Sequence, residues 1–504
     1  MLAAAFLLRL YLAHGTFLNP DEALHFFIAN RDSWPSAYKA SSTMAHPPLL
    51  IFLLYWWRDV GTSELVLRLP SVLLGTGFCW VFYLWLRKLF RGTAALIGLS
   101  FAALLAPMAL LSSEIRQYEL LLFFAMSSAY ALELAFERHS AGWMAASALC
   151  LYLAMLSHYS SLLFVATLGI YGLIRLWQST NSFALIVTWC FTQIGALALI
   201  IFLYVTHVSK IKHTTMAEQA FDSWLYKSYF HAGHDHWISF VFARTFSVFQ
   251  FAFGQSVIGD LAALAFVTGA VLLWRGQTSR GSAAPGPRML AILLLLPFLL
   301  NCVAGLLDAY PYGGTRHSVF LAIFAFAGVS VFAAWLAGER VTRGLIVAMA
   351  IIAFCWAFRS IRHPYIYRVD QRSAHMQGAV SFIQQVPRSD LIFVDYESGL
   401  ELGHYLCHQQ PIRYDGSIPG FLVFNCGGHR IVSTINDLWA FDLPMFRDQW
   451  NQLVKNAALK SGDQVWVAQA GWIVTLADDL RKSGSQIQVQ SFGKNIQMFP
   501  MRAP

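Results

Sequence analysis

Phe17-Leu18-Asn19-Pro20-Asp21-Glu22-Ala23 sets two carboxylates directly behind the first apolar segment of the chain. Ionised side chains are costly in hydrocarbon and are kept near it for a reason. The surrounding composition makes the question pressing. Charged residues are 12% of the 504, about half the share of a soluble chain, while the apolar set reaches 57% and mean hydropathy is +0.52. This is the composition of an integral membrane protein. The formal charge of +8 comes from Lys and Arg in short clusters between apolar runs, which act as topology signals and leave no nucleic-acid footprint.

Working outward from the acidic pair, the segment before it is short for a span, which needs about 20 residues. Either the start at Met1 misses some residues or the first helix is stunted. Met1 to Tyr11 lacks a basic start and a small-residue cleavage site, so no removable signal peptide is expected. Further spans are expected near 65–86, 93–112, 118–136, 143–157, 160–176, 183–206, 257–274, 289–307, 319–338 and 344–358. With the first segment this predicts about 11 transmembrane helices and termini on opposite sides. Arg87-Lys88-Leu89-Phe90-Arg91, Arg138, Arg175, the stretch with Arg275, Arg280 and Arg288, and Arg340 with Arg343 then share one face, which the positive-inside rule makes cytoplasmic. Loop 14–64, Glu114 to Gln117, Ser157 to Tyr159, loop 207–256 and loop 308–317 fall outside.

From about Arg359 the pattern becomes that of a soluble domain. Strands are expected at Leu391 to Asp395, Arg430 to Val432, Gln464 to Ala468, Gln486 to Gln490 and Asn495 to Phe499, and helices at Gly399 to Cys407, Met445 to Leu459 and Trp472 to Lys482. Alternating strands and helices describe a small α/β layer domain. It shows no glycine-rich phosphate loop, so no catalysis is assigned to it. The domains are therefore 1–358, membrane-embedded with a first outer loop at 14–64, and 359–504, extracytoplasmic and α/β. Ser282 to Pro287 reads as a cytoplasmic linker, and no internal repeat is visible. Of seven cysteines, five lie in apolar segments; Cys407 and Cys426 fall in the soluble domain, where a helix end and a following loop allow a disulfide, with two buried thiols as the alternative.

Loop 14–64 carries more signals than a connector needs. Asn19-Pro20 can start a helix over Asp21 to Asn30, and His46-Pro47-Pro48 precedes an apolar run, Leu49 to Trp57, too short to span. Asp21 and Glu22 fit general base and partner, and equally fit acids stabilising a helix N-terminus. Other polar residues gather at the outer ends of spans: Glu114-Ile115-Arg116-Gln117-Tyr118, Ser157-His158-Tyr159, Lys210 to His213 and Tyr312 to His317. Singly, each fits an interfacial belt. Together they describe an outward-facing polar cavity in which the planar fork of Arg suits a phosphate. His231, His234, Asp235 and His236 match no common zinc spacing and read as a solvated loop, so no metal ligand is assigned.

The order Asn19-Pro20-Asp21-Glu22-Ala23, His46-Pro47-Pro48-Leu49, Glu64 to Ser71 with its Arg-Leu-Pro-Ser run, Glu114 to Tyr118 and Gly314-Thr315-Arg316-His317-Ser318 resembles multi-span glycosyltransferases of the C-type fold (GT-C). Within them it is similar to the bacterial relatives of protein O-mannosyltransferases and of lipid A aminoarabinose transferase, over residues 1 to about 340. The resemblance implies a multi-span α-helical membrane protein with a C-terminal soluble α/β domain, in the inner (plasma) membrane and acting on the cell envelope. It implies a polyprenyl-phosphate sugar as donor substrate and transfer with inversion to a lipid, glycan or protein acceptor. It places the family's first-loop acid on Asp21, with Glu22 beside it. The late motif, an Arg-Tyr pair in relatives, is here Arg316-His317, which leaves the phosphate ligands open.

The catalytic residues expected are thus Asp21 and Glu22, and the substrate-binding ones His46, Glu114, Arg116, Tyr118, His158, Tyr159, Arg316 and His317. No covalent cofactor is expected, and a divalent metal requirement stays open. Membrane lipid, donor and an unassigned acceptor are the partners. The rival reading is a lipid-linked sugar flippase or transporter, although the internal repeats and broken helix pairs of transporters are not evident. A second rival is a non-catalytic membrane protein whose outer domain binds a partner.

Overall fold

The computed structural model describes all residues except 43, 91, 179–181, 212–219, 222, 278–284, 361–369 and 436–438. Its principal helices are α1 (Leu2–Ala13), α2 (Pro20–Ala29), α3 (Trp34–Ser41), α4 (Leu49–Trp57), α5 (Glu64–Leu89), α6 (Gly92–Leu104), α7 (Ala106–Leu111), α8 (Tyr118–Glu137), α9 (Ala141–Met155), α10 (Ser161–Gln178) and α11 (Phe183–Leu203). They continue with α12 (Trp237–Phe253), α13 (Ser256–Trp274), α14 (Pro287–Leu306), α15 (Leu321–Leu336) and α16 (Val341–Ala357). The remainder holds α17 (Ser373–Ile383), α18 (Tyr396–Leu406), α19 (Leu443–Asn456) and α20 (Leu476–Lys482) with six strands.

Two compact units result: 1–12, 41–50 and 68–363 form one, and 13–40, 51–67 and 364–504 the other. This differs from the boundary expected at 358, because most of loop 14–64 groups with the C-terminal residues.

Among the described residues, six helices are long and apolar enough to cross a membrane, and six more apolar helices run 10–17 residues. Two departures from the expected spans have physical causes. The span near 93–112 is broken at Leu105, which is extended at φ −67° and ψ 137°. Pro107 has no N–H for the carbonyl four residues back. That carbonyl, Ala103 O, instead accepts from the buried Arg9 at 2.8 Å, and Ala102 O accepts from the same guanidinium at 3.0 Å. The cation closes a helix C-terminus, where positive charge is favoured. The second departure is α12, placed by the sequence in an outer loop. Arg244, Ser247 and Gln250 dilute its hydropathy, while Phe249, Phe251 and Phe253 are buried.

Helix contacts rely on small residues and hydroxyls, as they do where lipid offers no hydrophobic contrast. A side chain on Gly269 of α13 would meet Gly328 O of α15 at 2.3 Å, so the two backbones touch there. Ser147 of α9 donates to Ser128 O of α8 at 2.9 Å. Arg175 and Glu133 form a buried ion pair at 2.9 Å, with Tyr171 bonded to both.

In the other unit the strands are β1 (Leu391–Val394), β2 (Leu422–Cys426), β3 (His429–Ser433), β4 (Gln464–Ala470), β5 (Gln490–Ser491) and β6 (Ile496–Arg502). They form one sheet in the order β2-β3-β1-β4-β6-β5, parallel across β3-β1-β4 and antiparallel at both flanks. Phe446, Trp450 and Leu453 of α19 with Leu476 and Leu480 of α20 pack in one core. Met376, Ala379 and Ile383 of α17 with Leu402 and Leu406 of α18 pack in another. Strand β2 was not expected, since only its partner β3 read as a strand. The expected bridge between Cys407 and Cys426 is present, with Cα atoms 4.8 Å apart, tying the end of α18 to the end of β2.

First-loop residues are built into this unit. Phe17 joins the second core, its N–H donates to Gln371 O at 2.9 Å, and Leu18 N–H donates to the Tyr405 hydroxyl at 2.9 Å. Pro70 cannot donate to Val66 O within α5. Trp57 supplies that bond from its indole N–H at 2.8 Å.

Candidate functional site

The acidic pair sits on the first turn of α2. Asn19 is its N-cap: Asn19 Oδ1 accepts from Glu22 N–H at 3.0 Å, and Glu22 Oε2 accepts from Asn19 N–H at 3.0 Å, a complete capping box with Pro20 at the first helical position. The capping function that sequence alone allows for either acid thus belongs to Asn19 and Glu22. Asp21, half-buried one position earlier, is not part of the box.

Helix α2 packs on α18, and this contact brings in carboxylates that the sequence reading left out. Asp395 caps α18 through Ser398 N–H at 2.8 Å and also accepts from Phe441 N–H at 3.1 Å. Glu397 accepts from Trp472 N–H, and Glu401 is fully buried with neither oxygen hydrogen-bonded among the described residues. Glu397, Glu401 and His404 lie at i, i+4 and i+7, on one face of α18. Burial raises the proton affinity of all three acids. The Asp395 carboxyl moves from 3.8 up to about 6. Glu397 is pushed well above its ordinary range by burial, Asp395 and Asp21, and Glu401 by burial, Glu397, Asp395 and Glu22. His404 moves the other way, to about 3, because burial disfavours its cation. The signal for these residues was present in sequence: two acids four apart in a helix otherwise rich in Leu, Tyr and Gly.

Gly471 fixes the position of Glu397. It has φ +124°, and a Cβ there would lie 1.9 Å from Glu397 Oε1.

In the helical unit most of the other expected site residues converge. The rings of His46 and His158 stack at 5.4 Å, Tyr118 lies 5.2 Å from His158, and His317 lies 5.9 Å from it. Arg116 and Arg316 approach the Tyr118 ring at 5.6 and 5.8 Å. Four segments far apart in the chain therefore meet around Tyr118 and His158. The Tyr310 hydroxyl, not anticipated, donates to His317 O at 3.4 Å. His158 is held well below its ordinary 6.5 by burial first, then by His317, Arg116 and Arg316. It is a neutral imidazole whose Nδ1 bonds Ser160 Oγ at 2.8 Å. Glu114 is buried in the same loop as Arg116, and the buried Tyr159 hydroxyl has no hydrogen-bond partner among the described residues.

The remaining candidates do not join this group. Lys210 ends at the border of the described residues, and His213 lies outside them. His231 stacks on Tyr226 at 4.0 Å, with its N–H donating to Asp235 at 2.9 Å.

The chain combines a multi-span helical unit with basic and aromatic loops and an α/β unit that carries the first-loop acids, a fold similar to that of solved membrane glycosyltransferases of the C-type. The dolichyl-phosphate-mannose-protein mannosyltransferase family matches residues 45–207. Among solved structures, ArnT from Cupriavidus metallidurans bound to undecaprenyl phosphate aligns with a TM-score of 0.52 at 14% identity, over 99% of this chain and 96% of that one. The apo form of ArnT gives 0.52 at 13% identity over the same shares. The oligosaccharyltransferase AglB from Archaeoglobus fulgidus, in complex with an inhibitory peptide and a dolichol-phosphate, gives 0.47 at 11%, over 80% of this chain and 62% of that one. No curated protein matches in sequence.

Proposed function

We propose that this protein is an integral membrane glycosyltransferase that moves a sugar from a polyprenyl-phosphate donor to an acceptor hydroxyl on the outer face of the membrane, with inversion. The observation that carries the reading is the convergence of Arg116, Arg316, Tyr118, His46, His158 and His317 from four distant segments. The fold shared with ArnT bound to undecaprenyl phosphate supports a lipid-phosphate donor.

In this reading Asp21 accepts the proton of the acceptor hydroxyl while that oxygen forms a bond to the anomeric carbon. The bond from that carbon to the phosphate oxygen breaks, and polyprenyl phosphate leaves with the electron pair. Arg116 and Arg316, preorganised on the Tyr118 ring, stabilise the growing phosphate charge. Neutral His158 offers a hydrogen bond without competing for the anion, and His46, His317, Glu114 and Tyr159 complete the polar wall. Glu22 acts through the capping box, holding the turn that presents Asp21.

The test is transfer of labelled sugar from a polyprenyl-phosphate donor by the purified full-length protein, with donor binding measured separately. Transfer by the wild type and none by Asp21→Asn, with donor binding intact, supports the reading. Movement of labelled donor across a vesicle without transfer to any acceptor would favour the flippase instead.

A further inference from the structure

The helical unit has a second polar feature, at the opposite sign of charge from the first-loop acids and on residues the transfer reaction does not use. An open cavity of about 810 Å³ lies among the ends of α5, α8 and α10 and the residues 285–286 before α14. Its lining gathers basic loops that the sequence placed on one face. Arg87 and Lys88 come from α5, Arg138 follows α8, and Arg175 comes from α10.

Two acids also line it, but both are committed. Glu133 is bonded to Arg175 and Tyr171, and Glu137 pairs with Lys88. Arg87 has no ion pair among the described residues, and the Arg138 guanidinium lies over the Trp143 ring at 5.4 Å. The cavity thus presents two exposed guanidiniums with no carboxylate to answer them among the described residues. The same lining includes the apolar side chains Leu84, Leu89 and Leu134.

Nearby side chains mark the depth. Trp177, beside the lining residue Gln178, is 89% exposed, and Trp274, 52% exposed, lies under Arg288. Exposed Trp with Arg at the end of an apolar helix marks the boundary between hydrocarbon and headgroups. A ligand at this level therefore meets cationic and apolar lining together. Basic pockets between membrane helices on this side suit lipid phosphates, and a cavity of this size accepts a headgroup with the start of its chains rather than a whole lipid.

We propose that the cavity seats the phosphate headgroup of an anionic diacyl phospholipid, with Arg87 and Arg138 as its ligands. Such a lipid surrounds the protein at that depth and needs no delivery, and its glycerol and upper acyl carbons match the leucines of the lining. The proposal is independent of the transferase reading.

Native mass spectrometry of the full-length protein, with phosphatidylglycerol or phosphatidylcholine added, tests it. The wild type is expected to retain phosphatidylglycerol preferentially, and Arg87→Ala/Arg138→Ala to retain it less, by about fivefold for each Arg removed. Arg87→Lys/Arg138→Lys keeps the charges and should keep most of the preference, which guards against a double variant that fails to fold. Equal retention of the two lipids by the wild type overturns the proposal, as does undiminished phosphatidylglycerol retention in a folded Ala variant. Displacement of phosphatidylglycerol by excess inorganic phosphate, or exclusive retention of polyprenyl phosphate, overturns the assigned source.

Discussion

The carboxylates between α2 and α18 and the histidine–arginine group around Tyr118 solve the same physical problem with opposite signs. In the first, Asp395, Glu397 and Glu401 face one another and the first-loop acids, and burial drives their proton affinities up. In the second, His158 faces His317, Arg116 and Arg316, and burial drives its affinity down. Gathering like charges away from water favours the neutral form of whichever member can titrate. Each unit therefore holds neutral hydrogen-bonding groups, an acid in one and an imidazole in the other, at the cost of a pH-dependent stability.

The largest expected effect separates the acid proposed as the base from those that hold it. Asp21→Asn should lower sugar transfer by roughly two to four decades while leaving α2 intact, since Asn19 and Glu22 make the cap. Turnover near the wild-type level would remove Asp21 as the base. On the cationic side, Arg316→Ala should lower transfer by about 10²- to 10³-fold, the usual loss on deleting one preorganised donor to a developing anion. Arg316→Lys should fall between, because charge remains but the paired geometry does not. Unchanged activity in Arg316→Ala would shift the phosphate contact to Arg116.

Next comes the clamp on the carboxylate helix. The bridge closes a separation of 19 residues, and losing such a loop constraint typically costs roughly 3 kcal/mol. Cys407→Ser should lower the unfolding midpoint of the α/β unit under non-reducing conditions, and dithiothreitol should do the same to the wild type only.

The smallest effects bear most directly on the comparison. Folding favours the protonated acids, so the stability attached to them is greatest at acid pH and is lost as pH rises, for Asp395 between 3.8 and about 6. For His158 folding favours the deprotonated ring, so its stability is present above 6.5 and is lost as pH falls below that. Hydrogen exchange, corrected for intrinsic rates, should show the two units weakening in opposite directions of pH. Glu401→Gln should flatten the alkaline loss in the α/β unit and leave the helical unit alone. A common slope in both units would break the comparison.

Much of this was legible in one dimension because hydropathy and local geometry are sequence properties. The apolar runs, the start of α2 at Asn19-Pro20 and the strands β1, β3 and β4 follow from residue order. So does the roster of polar residues at helix ends, whereas for Cys407 and Cys426 the sequence allowed a bridge or two buried thiols and the structure decided for the bridge. Helix α12 escaped because scattered polar residues mask a buried aromatic face. Arg9 escaped because its reason for being in a membrane helix is a pair of carbonyls freed near Pro107, almost a hundred residues away.

What the sequence by itself determined was the class of the chain and which residues were too polar for their surroundings. Only the tertiary structure decided their company: that His46, Tyr118, His158 and His317 share one cluster, that α18 adds Glu397 and Glu401 to the first-loop acids, and that Glu22 serves the helix cap. Proton affinity depends on burial and on neighbouring charges, and both are set by contacts between residues hundreds of positions apart. No local pattern carries that information.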